Sequence, residues 1–143
     1  MTEAERAIYT LITVGGTVAL CYGAVCFMRG RFTILTPVGF RGVSGLWGLT
    51  VSMADVLLGV VAIVYGVVGL LAADGEFAAQ LNRIFGLPQR GTTLELLNGD
   101  TIDMAPAAFY LAWGFWQAVV SLSPLLILRF SPPKNDGCTT IRC

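Results

Sequence analysis

The chain has 143 residues, 55% hydrophobic and only 13% charged, with nine Lys and Arg balanced by nine Asp and Glu, and no histidine. A soluble globular domain carries about 25% charged residues, so the mean hydropathy of +0.73 excludes that class and indicates an integral membrane protein. Zero net charge leaves no electrostatic footprint for nucleic acid, and the missing histidine removes His-ligated haem, chlorophyll or metal and a His general base.

A transmembrane helix needs about 20 mainly apolar residues. Three stretches qualify: about 7–28, about 46–73 and about 107–128, the second carrying Asp55 as its only charge. The expected fold is an all-α integral membrane protein. Three transmembrane helices make up residues 1–130, with a small extramembrane loop at 74–106, and a polar tail follows at 131–143. Glu3, Glu5 and Arg6 precede the first stretch with a net negative charge, where a signal peptide is positive. That stretch is therefore read as a retained helix.

In the first span, Gly16, Ala19, Gly23, Cys26 and Gly30 recur at intervals of 3 and 4. The connection at 29–44 contains Pro37 and the glycines Gly39 and Gly42, and continues into Gly45 and Gly48. It is expected to be a flexible entry into the second span, with a re-entrant segment or a backbone surface for a neighbour as the alternative.

The second span holds the strongest pattern in the chain. Gly45, Gly48, Ser52, Asp55, Gly59, Ala62, Gly66, Gly69 and Ala73 alternate in steps of 3 and 4 along one helix face. Small residues let helix backbones approach closely in lipid, where the hydrophobic effect does not drive association. Either the first two spans pack on each other through these faces as an antiparallel hairpin, or the faces meet other subunits. The spans also resemble each other: positions 16–25 and 59–68 are identical at six of ten places. An internal duplication explains this, as does chance in a restricted alphabet.

Asp55 is the only ionisable residue inside a predicted span, and an Asp there costs about 2.5 to 3.5 kcal/mol on an insertion scale. Its readings are a carboxyl bonded to a neighbouring helix, an ion pair with an arginine such as Arg41, or part of a proton or cation path. The other intramembrane polar group of note is Gln117.

The outer loop has two expected elements. Phe77, Leu81, Ile84 and Phe85 recur at helical spacing, which predicts an amphipathic helix over 76–87, ended by Pro88 and suited to the membrane interface or a partner. Asn98-Gly99 lies between two short apolar runs and predicts a hairpin with a tight type I′ turn. Asp103 is placed to cap the third span, with Pro106 in its first turn.

The third span opens with Phe109, Tyr110, Trp113, Phe115 and Trp116. This cluster lies near the outer interface and reads as a membrane-interface belt, with Tyr110, Trp113 and Trp116 as its interface aromatics and Trp47 as a further one at the start of the second span. Stacking on a pigment, quinone or lipid is the alternative. Pro124 is expected to kink the helix, with Ser121 or Ser123 serving the freed backbone groups. Cys21 and Cys26 read as small apolar packers, and Cys138 and Cys143 as incidental thiols of the tail.

Lys and Arg concentrate in cytoplasmic loops. Arg29, Arg31, Arg41, Arg129, Lys134 and Arg142 fall on one side, against Arg6, Arg83 and Arg90 on the other. This predicts the N-terminus outside and the C-terminus cytoplasmic. The expected function is a non-catalytic structural or assembly subunit of a larger membrane complex. The alternative is a homo-oligomeric channel or carrier with Asp55 lining its path. The expected partners are the lipid bilayer and other membrane subunits; no enzyme activity, cofactor or metal is expected.

Overall fold

The computed structural model describes residues 3–36, 39–72, 75–88 and 92–130. Pro37, Ala73, Asp74, Arg90 and the tail at 131–143, with its Lys134, Cys138, Arg142 and Cys143, lie outside them. In chain order the elements are α1 (Glu3–Arg29), β1 (Arg31–Thr36), β2 (Gly39–Ser44), α2 (Gly45–Ala72), α3 (Glu76–Ile84), β3 (Thr93–Glu95), β4 (Thr101–Asp103) and α4 (Met104–Phe130). The fold is mostly helical, and α1, α2 and α4 are long and apolar enough to cross a membrane. Each extends a few residues beyond the stretch read from hydropathy, except that the described part of α2 stops at Ala72. Two compact units divide the chain, Met1–Thr17 with Gly59–Phe115 and Val18–Leu58 with Trp116–Cys143.

The first unit is built on Ile12, Ala62, Tyr65 and Phe109, one cluster drawn from α1, α2 and α4. Close approaches pair Gly16 with Gly59 and Ala62, and Tyr9 with Gly66 and Gly69. Position falls along α1 as it rises along α2, so the two helices run antiparallel here. Asp103 caps α4 by accepting from Ala105 N at 3.1 Å. Its own backbone N donates to Glu5 Oε1 at 3.0 Å, which ties the start of α4 to the start of α1.

Helix α3 packs Leu81, and the loop after it packs Leu87, onto the same cluster. The helix ends earlier than expected, at Ile84, and Pro88 does not stop it. Gly86, at φ +65°, lets Leu87 N reach Asn82 O at 2.8 Å and Gly86 N reach Arg83 O at 3.2 Å. That bond pair is a Schellman motif, which needs a left-handed residue at its centre.

The β3–β4 hairpin forms around Asn98-Gly99, but its turn is not type I′. That type requires positive φ at both central residues, and Gly99 alone takes it, at +84°. Instead Gly99 N bonds Leu96 O at 2.9 Å and Leu96 N bonds Asp100 O at 2.7 Å. This is a three-residue loop with a glycine bulge, in which Asn98 stays in ordinary φ space and its Oδ1 accepts from Asp100 N at 3.3 Å.

The second unit corrects the reading of 29–44. This connection is not a flexible entry; β1 and β2 pair antiparallel from Arg31↔Ser44 to Thr36↔Gly39. The cross-strand partners Phe32 and Val43 are 1% and 7% exposed, and Phe32 packs with Cys26 and Val51. Gly42 is needed for closeness: a Cβ there would lie 2.7 Å from Phe32 O.

Candidate functional site

Asp55 is 1% exposed and lies in the second unit. It is the eleventh residue of α2, about 15 Å along a helix of about 42 Å, so it lies well inside the helix. Its carboxylate accepts from Nε2 of Gln117 on α4. The ion pair with Arg41 does not form: Arg41 is exposed, and the carboxylate is served by an amide. One turn earlier, fully buried Ser52 donates its hydroxyl to Gly48 O at 2.7 Å. Gln117 Oε1 is buried and bonds to no other described group. The carboxyl and the amide thus form one bonded pair, while the Ser52 hydroxyl is turned to its own helix. An amide has no titratable proton.

The small residues occupy the buried side of their helices. Gly48, Ser52, Asp55, Gly59, Ala62, Gly66 and Gly69 are buried on α2, as are Gly16, Ala19 and Gly23 on α1. In the first unit, a Cβ on Gly16 would sit 2.8 Å from both Ala62 Cβ and Gly59 O. A Cβ on Gly66 would overlap Thr13, and one on Gly69 would overlap the Tyr9 ring. In the second unit, a Cβ on Gly23 would sit 2.9 Å from Val56 N and 3.0 Å from Ser52 O. Gly48 is closed off by Val43 O of the β1–β2 hairpin.

The aromatic residues divide. Trp47, Tyr110, Phe115 and Trp116 are exposed. Trp113 is half-buried, with its six-membered ring under Gly15. Phe109 does not join the belt: it is 4% exposed and stacks on Tyr65 with centroids 3.8 Å apart and planes 8° from parallel. Aromatic content alone could not separate this core ring from its surface neighbours.

Two tyrosines that no motif singles out hold the connecting elements. Tyr65 donates its hydroxyl to Asn82 Oδ1 on α3 at 3.0 Å. Tyr22, in the other unit, donates to Thr33 O of β1 and meets the Phe32 ring edge-on at 5.6 Å. They occupy matching places in the stretches 16–25 and 59–68, and each lies seven residues before the end of its helix. That shared position was the available signal. In α4, Ser123 Oγ donates to Val120 O at 2.7 Å, the carbonyl that Pro124 cannot serve.

No protein-family model, curated protein or solved structure matches the chain.

Proposed function

We infer that the chain is a small multi-pass membrane protein that acts as a non-catalytic structural or assembly subunit of a larger membrane complex. Residues 1–130 form its three-helix transmembrane domain and 131–143 a polar tail. The arginine and lysine distribution supports an N-terminus outside and a C-terminus in the cytoplasm.

The observation that carries this reading is the state of Asp55. This carboxyl inside α2 is 1% exposed and bound to an amide on a neighbouring helix, which suits a tie between helices. The small residues of α1 and α2 support the same reading, because they are suited to holding those helices together within the chain. Exposed apolar side chains along α4, among them Leu111, Val119, Leu122 and Leu126, then remain for lipid and partner subunits.

The test is the mass of the assembly extracted in mild detergent. A defined complex with other polypeptides is expected. A pure symmetric oligomer that conducts ions after reconstitution would instead establish the channel or carrier. If Asp55→Asn leaves assembly intact but abolishes a proton- or ion-dependent flux, the structural reading is wrong.

A further inference from the structure

Helix α3 carries three stripes. Ala78, Leu81 and Asn82 are half-buried, with Leu81 on the core cluster and Asn82 on Tyr65. Glu76, Gln80 and Arg83 form an exposed polar stripe. Between these two lies a third, made by Phe77 and Ile84, which are seven residues apart, on one face, and 55% and 76% exposed. The core does not use these two side chains, although they are among the most apolar of the helix.

The height of α3 is set by what it touches. Asn82 meets Tyr65, seven residues before the end of α2, which is about 10 Å back along that helix. Leu81 and Leu87 pack on the cluster that holds Phe109, the sixth residue of α4. Only three residues separate α2 from α3, a reach of at most about 14 Å. Helix α3 therefore runs beside the last turns of α2 and the first turns of α4. At that level Leu71 of α2 is 82% exposed and Tyr110 of α4 42%.

A helix with a polar face, an apolar face and this height fits the boundary between lipid headgroups and acyl chains. We propose that α3 is an interfacial helix, with Phe77 and Ile84 inserted in the lipid that surrounds α2 and α4 and with Glu76, Gln80 and Arg83 toward water. The proposal rests on the reading that α2 and α4 span a bilayer.

The test uses the full chain in vesicles of phosphatidylcholine and phosphatidylglycerol. A diazirine amino acid is placed singly at positions 77, 84, 83 and 122, and adducts are identified by mass after illumination. Lipid adducts are expected at 77 and 84 with a yield matching that at 122, and none at 83. The two apolar positions are independent, so misfolding of one variant leaves the other informative. Adducts at 77 and 84 only to a second copy, to another polypeptide or to water, with lipid adducts retained at 122, overturn the placement of α3 and leave the spans standing. Loss of lipid adducts at 122 as well overturns the membrane reading and the proposal together.

Discussion

Tyr65 on α2 and Asn82 on α3 are joined by a 3.0 Å hydrogen bond from the phenol to the amide oxygen, while the tyrosine ring lies stacked on Phe109. One side chain therefore anchors helix α3 and fills the core. Tyr65→Phe keeps the ring and loses the bond, and should lower stability by about 0.5 to 1.5 kcal/mol. Hydrogen exchange should rise over 76–88 and stay unchanged in α1. Tyr65→Ala also removes the stack and should cost about 3 to 5 kcal/mol, the range for deleting a buried aromatic ring.

Glycines in the spans should separate by what surrounds them. Gly16→Ala drives a methyl group against Ala62 Cβ and the backbone of Gly59 and Ile63, none of which can swing away. It should cost about 1 to 3 kcal/mol, the usual penalty of overpacking. A Cβ on Gly114 meets nothing within 4 Å. Gly114→Ala should be neutral or stabilise by up to about 1 kcal/mol, the helix-propensity difference. Unfolding in a titration with a denaturing detergent reads both.

The Asp55–Gln117 pair should behave as a coupled unit. Asp55→Leu strands the Gln117 amide, and Gln117→Leu strands the carboxyl; each should cost about 1 to 3 kcal/mol. The double variant should recover part of that loss, with a coupling of about 0.6 to 1.7 kcal/mol as found for polar pairs in membranes. Asp55→Asn should be milder than Asp55→Leu, because an amide oxygen still accepts from Gln117 Nε2. Strict additivity of the two leucine variants would mean that the bond does no work.

Ser123 and Pro124 make a second pair. Ser123→Ala leaves Val120 O without the hydroxyl that reaches it and should cost about 1 to 3 kcal/mol. In the Pro124→Ala background the new backbone N–H can serve that carbonyl, so the same serine change should be close to neutral. Thermal unfolding of the four proteins in detergent gives the cycle.

The long elements were legible because their signals are long. Some 20 apolar residues mark a span whatever its neighbours do, and steps of 3 and 4 from Gly48 to Gly69 mark the buried side of α2 before any partner is known. Shorter signals were legible only in part. Asn98-Gly99 marked a turn, but which residue takes positive φ depended on the loop length that the strands settle on. Gly39 and Gly42 suggest slack, whereas the alternation of Arg31 and Thr33 with Phe32 and Ile34 carries the strand signal. The partner of Asp55 was out of reach. Gln117 is 62 residues away, and no local pattern ranks it above Arg41, a charged residue much nearer in sequence.

The two tyrosines have a consequence for the order of events during synthesis. Tyr22 grips Thr33, 11 residues later, and Tyr65 grips Asn82, 17 residues later. Contacts this short in sequence form early, because little loop entropy opposes them. Strand β1 and helix α3 can thus each be latched by the long helix that has just emerged, before the next long helix exists. The bond from Asp103 N to Glu5 spans 98 residues and the one from Gln117 to Asp55 spans 62, so both wait for the later part of the chain, and the nascent protein grows as locally fastened pieces that are tied together only afterwards.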